Sequence, residues 1–103
     1  RPTLTVTYPQ KGSNDQPLDR LLIGMHDYYT GLDKGSLEVL ADFPIDDAAA
    51  QVNLASRFRE TSSGVWELKL NRPIKSLKAG KLIVSVKDIE GNTSRIERTF
   101  AIK

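Results

Sequence analysis

Along most of this chain apolar and polar residues alternate with a period of two, in short runs closed by Gly, Pro, Asn or Asp. That rhythm predicts half-buried antiparallel strands, because successive side chains on a strand point to opposite faces. Thr3 to Tyr8 is the first run, with Leu4, Val6 and Tyr8 on one face, stopped by Pro9. A turn-rich stretch follows from Gln10 to Pro17. The second run, about Asp19 to His26, sets Leu21, Ile23 and Met25 on one face and Leu22, Gly24 and His26 on the other. From Ser36 to Phe43 the inward set is Leu37, Val39, Ala41 and Phe43, ended by Pro44.

Ile45 to Glu60 reads as a loop with a helical turn started by Asp46-Asp47 ahead of three alanines, then a short strand at Phe58. In Val65 to Leu70, residues Trp66, Leu68 and Leu70 face the core. In Lys81 to Lys87 the inward residues are Leu82, Val84 and Val86. Asp88-Ile89-Glu90-Gly91-Asn92 then forms a tight turn in which Gly91 supplies a positive φ. The last strand, Ser94 to Ile102, puts Arg98 in the parity of Ile96, Phe100 and Ile102. That predicts a bulge or a snorkelling side chain on an edge strand. About seven short strands with no βαβ rhythm argue for an all-β sandwich of immunoglobulin-like type.

A chain of 103 residues buries roughly 65% of the surface its unfolded form exposes, enough for one core without staples. It has no cysteine, which removes disulfides, thiol nucleophiles and thiolate metal sites together. The 15 Lys and Arg interleave with 13 Asp and Glu to give a net charge of +2. With no basic stripe or recognition helix, nucleic acid is not an expected partner. No apolar run approaches the ~18 residues of a membrane span, so membrane insertion is not expected. Arg1-Pro2-Thr3 lacks the apolar segment of a signal peptide. Residues 1–103 are therefore expected to be one domain excised from a larger protein, with any targeting signal upstream.

Thr30-Gly31-Leu32-Asp33 followed by Ser36-Leu37-Glu38-Val39 resembles the early part of bacterial Ig-like domains. Leu77 and Gly80 before Leu82-Ile83-Val84-Ser85-Val86-Lys87-Asp88, then Gly91-Asn92 and Phe100, resemble their ending. Together these pieces cover nearly the whole chain, while Asp46 to Ala50 departs from the short hairpin usual there. The resemblance implies a β-sandwich module in tandem with other extracellular domains, secreted or at a bacterial cell surface. Such a module acts as a spacer, an adhesion element or an accessory to a catalytic neighbour, and the resemblance carries over no catalytic residue.

In such a sandwich the loop after the second strand and the last hairpin emerge at one end. The first carries Asp27, Tyr28, Tyr29, Thr30 and Asp33; the second carries Asp88, Glu90 and Asn92. Oxygen ligands from Asp27, Asp33, Asp88, Glu90 and Asn92 would suit Ca²⁺ if they converged. The alternative is that Asp27 and Asp88 end strands by bonding their own loop backbone, and the lack of a full Ca²⁺ loop motif favours it. Tyr28 and Tyr29 are adjacent, so an extended segment turns one away from the core, where a glycan or protein ligand would use it; the plainer reading packs both on the loop.

His26 is the only histidine, and its neighbour Asp27 falls on the opposite strand face, so the two do not form a catalytic pair. Asp46 and Asp47 read as turn chemistry before a glycosidase pair. The same holds for the Asn92-Thr93-Ser94 sequon. The expectation is a non-catalytic structural, spacer or adhesion module without a cofactor, monomeric, with the neighbouring domains of its polypeptide as partners. The alternative is a module binding carbohydrate, protein or Ca²⁺ through the Asp27–Asp33 and Asp88–Asn92 loops.

Overall fold

The computed structural model describes residues 2–26 and 31–103, apart from the Lys34 side chain. These form eight strands: β1 Thr3–Tyr8, β2 Gly12–Asn14, β3 Leu18–His26, β4 Leu32–Ala41, β5 Arg59–Ser62, β6 Val65–Ile74, β7 Leu77–Asp88 and β8 Thr93–Ile102. They build two four-stranded sheets, in the orders β1-β3-β6-β5 and β2-β8-β7-β4. All pairings are antiparallel except β2 with β8. Apart from short β2, this is the immunoglobulin constant-type arrangement, four strands facing three. The chain is an all-β, immunoglobulin-like sandwich.

The alternation read from the sequence places the core. On the first sheet Val6 opposes Ile23, and Leu21 opposes Leu68; all four are buried. On the second, Val39 opposes Val84 and Ala41 opposes Leu82. Val39, Val84 and Val86 are 0% exposed. Burying such a side chain contributes about 1.5–3 kcal/mol, and the closed interface between sheets sums many. Phe43 and Phe100 close one end of this interface edge to face, with centroids 5.6 Å apart and planes at 81°. Trp66 is half-buried and packs against the rim of the core.

Strand β2 lies inside the stretch read as turns. Asn14 makes it possible: its buried side-chain amide donates to the carbonyls of Gln10 (3.0 Å), Gly12 (3.3 Å) and Ala101 (3.2 Å), and its Oδ1 accepts the Gln10 N–H at 3.2 Å. One side chain thus takes up four backbone groups where the chain crosses from one sheet to the other. Because β2 covers Phe100 to Ile102, only the first part of β8 is a sheet edge. The β7–β8 register runs without a break from Lys87–Thr93 to Gly80–Phe100. Arg98 therefore sits in the ladder half-buried, which is the snorkelling alternative and not a bulge.

The segment from 42 to 58 also departs from expectation. Asp46 caps no helix; it adopts φ 51° in a turn closed by paired hydrogen bonds between Ile45 and Ala48. Its carboxylate accepts the backbone N–H groups of Asn71 (3.0 Å) and Arg72 (2.9 Å), pinning the end of β6. The helical turn comes later, a 3₁₀ turn at Ala55–Arg57, followed by buried Phe58 and then β5. Between them, Leu54 N–H reaches Val39 O at 2.8 Å and Asn53 Oδ1 accepts from Val39 N–H at 3.0 Å. These bonds cover part of the free edge of β4, a protection that edge strands require.

Candidate functional site

The β3–β4 connection and the β7–β8 hairpin do meet at one pole. Ile89 N–H donates to Gly31 O at 3.1 Å, and Leu32 faces Asp88 across the ladder. Asp27, Tyr28, Tyr29 and Thr30 lie outside the described residues. Among the rest, strand parity decides the geometry. Asp33 pairs with Lys87 and is exposed, whereas Asp88, one residue on, points inward and is 1% exposed. The two carboxylates leave opposite faces of the sheet.

Asp88 is held by its own hairpin. Its Oδ1 accepts the Asn92 N–H at 2.8 Å and its Oδ2 accepts the Asn92 side-chain amide at 2.9 Å. Asp88 N–H donates to Asn92 O, and Gly91 N–H to Asp88 O. Burial alone pushes the Asp88 carboxyl up, hydrogen bonds from Asn92 pull it down, and the net direction is below the ordinary carboxylate range. The arrangement is that of a strand-ending carboxylate. Glu90 and Asn92 are exposed on the hairpin, and Ile89 at its tip is 71% exposed. Among the described residues no three His, Cys, Asp or Glu side chains gather as a metal site would need. His26 ends β3, exposed and opposite Thr3.

The opposite pole holds a feature the sequence reading missed. A groove of about 460 Å³ crosses the outer face of the second sheet, from β2 over β8 to β7. Thr99 and Ala101 lie on its floor, because Lys81 opposes Thr99, and Ser13 opposes Ala101, on the face turned away from the buried residues. Lys11, Lys78 and Lys81 stand around it. At the groove β7 bulges: the four residues from Leu77 to Gly80 oppose the three from Ile102 to Phe100. A Cβ at Gly80 would stand 2.6 Å from Leu77 Cδ2 and 2.9 Å from Phe100 Cζ, so any larger residue would displace one of these side chains. Asp42 is the one acidic residue in the lining, and its Oδ1 accepts the Lys81 backbone N–H at 2.8 Å. Lys11 is remote in sequence from Lys78 and Lys81, so only strand order brings the three together.

No family model matches the chain, and no curated protein matches it. Solved structures do. The whole chain aligns with part of an endo-β-1,4-mannanase from Thermotoga petrophila at TM-score 0.62 and 12% identity, spanning 20% of that chain. It aligns with CopC from Methylosinus trichosporium OB3b at TM-score 0.63 and 9% identity, covering 100% of this chain and 94% of CopC. With dimeric latent PorU from Porphyromonas gingivalis the TM-score is 0.59 at 15% identity, over 99% of this chain and 10% of PorU. No helix among the described residues is long and apolar enough to cross a membrane. At these identities the likeness is one of fold: a β-sandwich of the kind that stands alone or as one segment of a far longer chain.

Proposed function

We propose that this chain is a non-catalytic, immunoglobulin-like spacer or adhesion module of a larger secreted or cell-surface bacterial protein. In this reading it is monomeric, needs no cofactor, and has the neighbouring domains of its polypeptide as its partners. The observation that carries it is the placing of the two chain ends on an elongated body of 40 × 25 × 23 Å. β1 begins beside the β7–β8 hairpin, where the Ser94 hydroxyl donates to Pro2 O. β8 ends at the far pole, where Lys103 N–H donates to Asn14 O at 3.0 Å. A module entered at one pole and left at the other adds its long axis to the distance between its neighbours. The alignment with a fifth of one long chain and a tenth of another supports the same reading.

The test is a domain swap in the polypeptide that carries the module. Deletion is expected to shorten the particle seen by small-angle scattering by up to the 40 Å long axis, and an unrelated sandwich of equal length is expected to restore both span and biological activity. Restored span with lost activity would sink the spacer reading and favour a binding module.

A further inference from the structure

We infer that the lysine-rimmed groove at the exit pole is a docking site for an acidic peptide segment of a partner protein, one with an aliphatic side chain between carboxylates. Charge is the first argument. Lys11, Lys78 and Lys81 are exposed around a single concavity, and none of them forms an ion pair with a carboxylate among the described residues. Asp42 accepts the Lys81 backbone N–H and keeps its own charge, so three lysines against one carboxylate leave the lining net positive. Like charges gathered on a low-dielectric wall raise the local positive potential, and an incoming anion relieves their repulsion.

The floor is the second argument. Ala79, Gly80 and Ala101 with the methyl of Thr99 give a surface of small side chains between the lysines, which admits an aliphatic side chain. Its one aromatic residue, Phe100, is 4% exposed, so no ring face is open for stacking a sugar. Ammonium groups on long stems act as separate point charges and match carboxylates spaced along a chain. An extended peptide with one apolar side chain down and acidic neighbours on either side presents that pattern. The contrast with the second large hollow, beside Tyr8, sharpens the choice. There Asp19 joins Arg20 and Lys75 in the lining, and Arg20 lies 5.8 Å from the Tyr8 ring centroid and 3.5 Å from Glu67, so the arginine's charge already has partners.

This inference adds a task to the spacer and is tested apart from it, on the 103-residue chain. The probe is a blocked pentapeptide with a central isoleucine flanked by glutamates, titrated into labelled protein and followed by amide chemical shifts. Perturbations are expected at residues 11–13, 78–81 and 99–101, with affinity falling at least about tenfold between roughly 20 mM and 300 mM NaCl. Lys78→Ala with Lys81→Ala is expected to weaken binding about tenfold or more, while Lys69→Ala, on the other sheet, leaves it unchanged. A peptide with serines for glutamates is expected not to bind. Absence of shifts, shifts centred elsewhere, or saturation by polygalacturonate but not by the peptide would each overturn the inference, the last in favour of an acidic glycan.

Discussion

The two poles of this sandwich treat charge in opposite ways. At the hairpin pole Asp88 is buried and both of its oxygens are taken up by Asn92. At the exit pole Lys11, Lys78 and Lys81 face a concavity, and among the described residues no carboxylate pairs with them. A buried charge tied to its own loop is structural. It sets a turn and presents little to a ligand. Charges held out around a groove do nothing for the fold that neutral residues would not do as well. Residue type alone does not separate the two cases: a carboxylate tied into its own hairpin and lysines held out around a groove differ only in what surrounds them.

Mutations should separate the poles by size of effect. Phe100→Ala, which removes the wall beneath the groove and the edge-to-face contact with Phe43, is expected to cost about 3–5 kcal/mol in urea unfolding. Asn14→Ala, which frees the Gln10 N–H and three carbonyls from their shared partner, is expected to cost about 1–3 kcal/mol. A drop below about 0.5 kcal/mol would mean that water replaces the amide and that β2 does not depend on it.

The hairpin pole gives a pH signature. The folded pKa of Asp88 lies below its unfolded value, so its contribution is fully present above the unfolded pKa of about 3.9 and is lost as pH falls through the folded value. Thermal melts are expected to show Asp88→Asn less stable than wild type at pH 7, with the gap narrowing as the pH is lowered below about 4. A constant gap would locate the loss in packing and not in ionisation. Charge reversal at the other pole, Lys78→Glu with Lys81→Glu, is expected to change unfolding free energy by less than about 0.5 kcal/mol. The smallest effect is expected from metal: melts in EDTA and in about 5 mM Ca²⁺ should superimpose within about 1 °C. A larger shift would bring Asp27, Asp33 and Glu90 back as ligands.

Most of the fold was legible because strands buried on one face write a period-two pattern. The inward sets Leu21, Ile23, Met25 and Leu82, Val84, Val86 are buried as that pattern requires. Gly12-Ser13-Asn14 carries no apolar residue, so nothing in it signals a strand; its pairing depends on Asn14 reaching carbonyls as remote as Ala101. Asp46 looked like a helix cap because an aspartate before alanines has that local preference. A tertiary demand, two free N–H groups at the end of β6, claimed its carboxylate instead. The meeting of the two loops followed from topology alone, but the divergence of Asp33 and Asp88 depends on a register that a single sequence does not fix. The groove draws its lysines from the turn before β2 and from β7, and no local pattern marks it.

The parallel pairing of β2 with β8 has a mechanical meaning. These strands lie near the first and last ends of the chain, and β2 runs alongside Phe100 to Ile102 in the same direction. Tension applied across the two poles pulls them past each other along their length, so their hydrogen bonds are loaded in shear and resist together, where a hairpin pulled from its open end would unzip one bond at a time. A stretched array of such modules would hold its length until β1 had left β3 and this three-residue seam gave way.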